Sequence, residues 1–475
     1  MLKKLTCGCL ALCTFNSFLM GDETPKEGLK SNYQLVDYVK NRGEYGTFYG
    51  RLRSNTFYYD WEKEDATHKN YLITGVGGSV VYKSPTLKKV VDTTLGLYYS
   101  KAFFDEDAYP ASTITKGKDT FSRFDYVNGG STSMAVIGQA YLRFHILDKT
   151  QLLVGRQFVE SFYAKSNDSK MIPNTFDGIV LNTTVIPHTK TKLAYLVKQK
   201  LRDHTSAHSL LMYGDENSTS ATNPQWSEND DSAMHKGLTY TALKEAGVST
   251  EAPLVTGDFK NRSIKNLKLD FSFYYVPELL SQTMVEGNYK IPFNDFSVTT
   301  GVRYIKQFDD KAGEIGGAAY DGDPTGYKNK NSLYSNMIGL RVVTKYKNYK
   351  LNLAYTQVMD EADLITPWRG LPTAGYTRSM ARSNWMANTK SYRAELQINQ
   401  NKSGIYKNMF IQMSYLHTDA DEKKGFYDED YYYIGCVQNI PSLQDLQYRI
   451  RFGYQDTEKK NADGLDARFE LNYLF

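Results

Sequence analysis

The sequence predicts an all-β fold, a transmembrane antiparallel β-barrel of about 18 strands. Three observations predict it. Strand-length stretches alternate apolar and polar residues along nearly the whole chain, the signature of a two-faced strand. The connections between them alternate short and long, as an up-and-down meander with one smooth and one rough rim requires. Aromatic residues make up 14% of the chain, with 38 tyrosines, although mean hydropathy is only −0.52. Tyrosine concentrates where one end of a side chain is wet and the other apolar, as at a membrane interface.

Lys3 and Lys4 precede a mostly apolar stretch, Leu5 to Met20, closed by the small Gly21 and the charged pair Asp22 and Glu23. That reads as a secretory signal peptide over 1–21, leaving 22–475 as the barrel. Beyond it no stretch holds the roughly 18 apolar residues of a spanning helix. Cys7, Cys9 and Cys13 fall in the signal, so Cys436 alone remains, in the apolar stretch YYYIGC. A single thiol excludes an intramolecular disulfide and Cys–Cys metal sites, and a small packed cysteine is inert. The formal charge of +4 gives no reason to expect nucleic acid as a partner.

Strands are expected near 45–60, 70–84, 89–104, 133–147, 150–158, 176–187, 191–202, 236–244, 266–277, 281–292, 295–308, 333–346, 350–361, 388–399, 406–418, 430–438, 444–456 and 464–475. The weakest is KGLTYTALK (236–244). Parity nevertheless demands an odd number of strands between 203 and 265, or the long stretches 105–132, 159–175, 203–235, 309–332, 362–387 and 419–429 would not share one rim. This placement leaves an awkward link, 245–265, on the short rim.

Charge decides which face points inward. Leu446, Tyr448, Ile450, Phe452 and Tyr454 share one side of a strand, and Arg449 and Arg451 lie on the other. In 133–147 the apolar set is Val136, Ala140, Leu142, Phe144 and Ile146, against Arg143 and His145. An arginine at the lipid midplane costs roughly 2–4 kcal/mol, so the polar faces line a watery interior. The wall candidates are Arg143, Arg303, Arg341, Arg449, Arg451 and Arg468, followed by Arg51, Arg53 and Arg156. A basic row offers an anion successive weak sites, and arginine grips a carboxylate through two parallel hydrogen bonds. The competing role is cross-strand pairing with acids such as Asp466 and Glu470. The chain ends on GLDARFELNYLF, where only Leu474 breaks an alternation that puts Tyr473 and Phe475 on the apolar face.

Two segments carry a family likeness. VGRQFVE (154–160) followed by NDSKMIPNTFDG (167–178) resembles the third-loop region of OprD-type substrate-specific porins, and GVGGSVVYKSPTLKKVVDTTLGLYYSKAFF (75–104) resembles their second hairpin. The layout is most similar to the outer-membrane proteins of Helicobacter and its relatives in that group. The resemblance implies a cell outer-membrane location, an 18-stranded barrel, and an inward-folded third extracellular loop. Small hydrophilic solutes, anionic or zwitterionic, would pass beside a column of arginines. Carried onto this chain, the constriction includes Asn167, Asp168, Ser169 and Lys170, with lysine where the family has arginine. The same likeness makes Phe475, with Tyr473, the signal read by the barrel assembly machinery.

Two other function classes compete with a channel. An enzyme lacks any G-x-S-x-G or H-E-x-x-H signature. An adhesin or receptor barrel would meet a host or surface ligand through loops such as 213–237, rich in Asn, Asp and Ser. No calcium loop or zinc spacing is present, so no cofactor is expected.

Overall fold

The computed structural model describes residues 46–65, 68–105, 116–211, 213–214, 233–399, 409–440, 443 and 445–475. The expected signal peptide lies outside them. Eighteen strands form one antiparallel sheet: β1 Thr47–Trp61, β2 Tyr71–Lys83, β3 Val91–Phe103, β4 Ser133–Leu147, β5 Thr150–Gln157, β6 Thr175–Thr183, β7 Thr189–Lys200, β8 Leu254–Asn261 and β9 Leu267–Val276 in the first half. The second half is β10 Leu280–Pro292, β11 Phe296–Asp309, β12 Ser335–Tyr346, β13 Tyr349–Val358, β14 Lys390–Asn399, β15 Met409–Asp419, β16 Glu429–Asn439, β17 Leu446–Thr457 and β18 Gly464–Leu474. Each strand pairs with its sequence neighbour and β1 pairs with β18, so the sheet closes and no edge remains.

Alternation places side chains as charge demanded. Outward-facing Leu52, Leu97, Val302 and Leu353 form an apolar belt, Leu52 with 59% of its surface exposed. Tyr58, Tyr99, Tyr304, Tyr415 and Tyr454 edge it towards the long loops, and Phe48, Tyr289, Phe296, Tyr349 and Tyr473 towards the short turns. In water such a belt would drive aggregation; around a closed barrel it is the surface a bilayer requires. The chain is therefore a membrane-spanning β-barrel of the outer-membrane type.

Two expectations need correction. KGLTYTALK is not a strand. Thr239 caps a short helix, Tyr240–Glu245, its hydroxyl accepting the Ala242 N–H at 3.1 Å, and Leu243 is buried. Ala, Leu, Lys and Glu are all strong helix formers, which outweighs the brief alternation. The strand that parity required is β8, LVTGDFKN, only eight residues long and interrupted by a glycine. The awkward link then shrinks to 262–266. The second correction concerns β4, where Gly96 pairs with Gln139 and Leu97 with Ile137. Gly138 is the extra residue of a bulge, and it flips parity: Val136 is buried and Ile137 faces out.

The interior is not watery throughout. The described parts of loop 4 (201–253), loop 6 (310–334) and loop 7 (359–389) turn inward, and Leu210, Leu211, Leu243, Leu333, Leu364 and Trp368 pack with Leu196, Leu254, Tyr274 and Ile305 of the wall. This dry packing fills the side of the barrel lined by β6–β11. It leaves the opposite side, lined by β14–β18 and β1, polar.

Candidate solute pathway

Loop 3 (158–174) reaches this polar side and is fastened to β1. Arg51 and Arg53 lie on the inward face of β1 and are almost fully buried. Arg51 donates through both terminal nitrogens to Asp168, at 2.5 and 2.8 Å, and Arg53 Nη1 donates to Asp168 Oδ1 at 2.8 Å. Arg53 also donates to the Lys170 carbonyl, and Arg53 Nε donates to Asn472 of β18 at 2.7 Å. One carboxylate is thus held by two guanidiniums. Asn167 supplies the turn that presents it, at φ 46°, with the Ser169 N–H donating to the Asn167 carbonyl at 2.7 Å; asparagine tolerates this left-handed geometry better than most residues. Asp168 therefore anchors the loop, while Asn167, Ser169 and Lys170 border open space.

Lys170 lies over the Phe57 ring at 4.1 Å and donates to the Lys118 carbonyl at 2.9 Å. Burial pulls its ammonium well below the usual lysine range, although Asp119 opposes this. For Asp119 burial acts upward, but Arg202 at 2.8 Å and Lys170 at 3.4 Å outweigh it and hold the carboxyl low. Further along loop 3, burial lowers Lys165 to about 8.

Loop 7 forms the facing border. The Lys165 N–H donates to the Trp368 carbonyl at 2.9 Å, and Trp368 Nε1 donates to the Leu210 carbonyl at 2.6 Å. A Cβ at Gly370 would stand 2.4 Å from the Tyr163 carbonyl oxygen, so only glycine allows loops 3 and 7 to meet this closely. Arg303 donates to the Pro372 and Ala374 carbonyls at 2.7 and 2.8 Å, and Arg341 to the Gly375 carbonyl at 2.9 Å. Both bind Glu286, and Tyr376 packs on both guanidiniums at 4.4 and 4.6 Å. These two wall arginines hold loop 7 in place and do not border the cavity.

A cavity of about 890 Å³ lies between loops 2 (104–132), 3 and 7 and the wall of β14–β18. Eleven cationic side chains line it against four carboxylates. Arg449, Arg451 and Arg468 are among them. Their register is telling: Arg449 lies opposite Glu470, but Arg451 lies opposite Arg468, and like charges directly across a ladder repel. Glu470 is shared, at 3.2 Å from Arg53, 3.3 Å from Arg449 and 3.6 Å from Arg451. Arg468 pairs with Asp466 at 2.5 Å. Among the described residues, Arg378 of loop 7 donates only to neutral groups, the Met380 and Arg382 carbonyls and the Ser383 hydroxyl. Burial and the surrounding Arg202, Arg468, Arg369 and Arg393 push it down to about 10.

Of the other predicted residues, Arg143 sits apart near the short turns, 3.9 Å from Asp92 and donating to the Tyr141 hydroxyl at 3.0 Å. Arg156 lies across from outward-facing Ala140 and binds Asp177 through two 2.7 Å hydrogen bonds. Sequence reasoning missed Arg202, Arg369, Arg378 and Arg382, which come from loops, where alternation carries no signal. The 213–237 segment lies mostly outside the described residues. At the chain end, the Phe475 N–H donates to the Gly50 carbonyl at 3.2 Å and its carbonyl accepts from the Gly50 N–H at 2.9 Å. Its ring occupies the space a Cβ on Gly50 would need, with a ring carbon 2.5 Å from that position.

No protein-family model matches the chain, and no curated protein matches it in sequence. Among solved structures it is similar to Acinetobacter baumannii OccAB4, with a TM-score of 0.67 and 15% identity over 92% of this chain and 99% of that one. It is also similar to Pseudomonas aeruginosa OccK8 (OprE), with a TM-score of 0.68 and 13% identity over 90% and 98%. A third is P. aeruginosa OpdK with vanillate, with a TM-score of 0.65 and 11% identity over 90% and 98%. At these identities the likeness is one of fold.

Proposed function

We propose that this chain is an outer-membrane channel of the OprD type, passing small hydrophilic solutes that carry a negative charge, anionic or zwitterionic. The observation that carries the reading is the cationic excess of the cavity between loops 3 and 7 and β14–β18. A solute carboxylate entering there relieves repulsion among Arg378, Arg451 and Arg468, and guanidiniums can take it bidentately. Several such positions give binding strong enough for entry and weak enough for exit. The OpdK structure with vanillate, an aromatic carboxylate, fits the same reading, as does the resemblance of the layout to the Helicobacter-type proteins.

The test is reversal potential under a salt gradient in a planar bilayer. The parent protein passes anions over cations, and changing Arg449, Arg451 and Arg468 together to Gln reduces or abolishes that preference while the barrel stays heat-modifiable. Cation preference in the parent, or no change in the triple variant, overturns the assignment.

A further inference from the structure

Charge is also divided between the two sets of strand connections. The nine long-loop connections contain 31 Asp and Glu against 20 Lys and Arg, whereas the eight short turns contain eight Lys and Arg against three Asp. The chain is nearly balanced overall and strongly polarised end to end. At the short-turn rim Lys88, Lys89, Lys149, Lys265, Lys290 and Lys347 are all exposed. Exposed acids there are few, Asp148 and Asp295 among the described residues, with Asp445 half-buried.

Three of these lysines occupy positions that suit glycine or asparagine. Lys88 (φ 47°), Lys89 (φ 61°) and Lys347 (φ 49°) are left-handed, a conformation unfavourable for a long side chain. The turns need a left-handed residue, but they do not need a charge. Beside the lysines the turn tips carry exposed apolar groups: Leu87 at 65%, Leu147 at 61%, and Ile186 and Ile264 each at 55%. In a turn facing bulk water neither feature has a purpose. In the headgroup layer of a membrane both do, because apolar tips enter the acyl boundary and lysine stems run along it with their ammonium groups at phosphate depth. Phe293 and Phe296 stack 4.4 Å apart at the same level, and Lys347 lies 5.0 Å from the Tyr346 ring centre, both consistent with that depth.

We infer that the short-turn rim is a binding surface for anionic phospholipid headgroups of the periplasmic leaflet, with Lys88, Lys89, Lys265 and Lys347 as its principal contacts. The occupant follows from charge complementarity and from the apolar residues interleaved with the lysines, which a soluble polyanion would leave in water.

The test uses the refolded full chain in mixed micelles holding equal phosphatidylglycerol and phosphatidylcholine, with retained lipid counted by native mass spectrometry. The parent retains phosphatidylglycerol in preference, and the K88Q/K89Q/K265Q/K347Q variant lowers that preference about ten-fold or more. A control with equal charge loss on the opposite rim, K63Q/K423Q/K459Q/K460Q, leaves it intact. Heat-modifiability and conductance of both variants check that the barrel is unchanged. Equal retention of the two lipids by the parent overturns the inference, as does a control variant that loses preference as fully as the rim variant. A parent that shows no lipid preference yet sediments with purified peptidoglycan, while the rim variant does not, overturns it in favour of the cell wall.

Discussion

Asp168→Ala should unlatch loop 3. In the native arrangement the Asp168 side chain is 10% exposed, and the guanidiniums of Arg51 and Arg53 facing it are 1% and 0% exposed. Removing the carboxylate leaves two buried charges with one partner fewer. Breaking a buried, hydrogen-bonded pair from one side costs about 3–5 kcal/mol, or about two to almost four powers of ten in the balance between docked and released loop. Arg53 keeps Asn472 and Glu470, which softens the loss on that side, whereas Arg51 has Asp168 alone among its described hydrogen-bond partners. The barrel itself should survive, since the β1–β18 and β1–β2 ladders do not pass through Asp168.

Single-channel recording of D168A should therefore show larger and noisier open steps than the parent. D168E keeps the charge and should restore part of the quiet level, which separates loop release from a simple change of lumen charge. Conductance and noise in D168A equal to those of the parent would refute the latch, and would mean that contacts to loop 7 hold loop 3 without β1.

Three further outcomes follow from the same geometry. Gly370→Ala puts a methyl 2.4 Å from the Tyr163 carbonyl, so loops 3 and 7 must separate, and limited proteolysis should begin to cut one of them in a barrel that remains heat-modifiable. His235 joins loop 4 to loop 6, its Nε2–H donating to the Gly317 carbonyl at 3.1 Å while Nδ1 accepts the Gly237 N–H at 3.1 Å. Burial lowers it to about 4, against the hydrogen bond to the Gly317 carbonyl and the charge of Asp321, which act the other way. The neutral form is favoured in the fold, so the stabilisation is complete above the unfolded value near 6.5 and is lost as pH falls towards 4. The loss is about 3 kcal/mol, and hydrogen-exchange protection at 234–240 and 315–322, corrected for the intrinsic rate at each pH, should fall over that window in the parent but not in His235→Asn. Phe475→Ala should lower the fraction of chain recovered as heat-modifiable barrel in the outer-membrane fraction, and Gly50→Ala should lower it further, because its Cβ would stand 2.3 Å from the Ser79 carbonyl oxygen of β2 as well as 2.5 Å from the Phe475 ring; unchanged recovery of Phe475→Ala would remove the terminal residue from any assembly role.

The barrel was legible because its rule is local. Each strand states its own two faces, and a charged face facing lipid is costly enough that Arg449, Arg451 and Arg468 could point only inward. The rule fails where the backbone adds or hides a residue. At Gly138 a bulge reverses parity, and at LVTGDFKN a strand of eight residues with a central Gly-Asp looks like loop while its helical neighbour looks like strand. Inside the lumen legibility drops further, because what matters there is which loop meets which wall. Arg303 and Arg341 satisfied the alternation as well as Arg449 did, yet they lie beneath loop 7 and bind its carbonyls. Arg378, with four other arginines around it, sits in a loop with no periodicity to mark it. The NDSK segment was found by likeness alone, and its chemistry proved to be that of a fastener: Asp168 spends its charge on β1. That division has a physical reason. A loop held inside a water-facing lumen needs strong directional contacts, so some arginines must serve the loops before others are left to meet a solute.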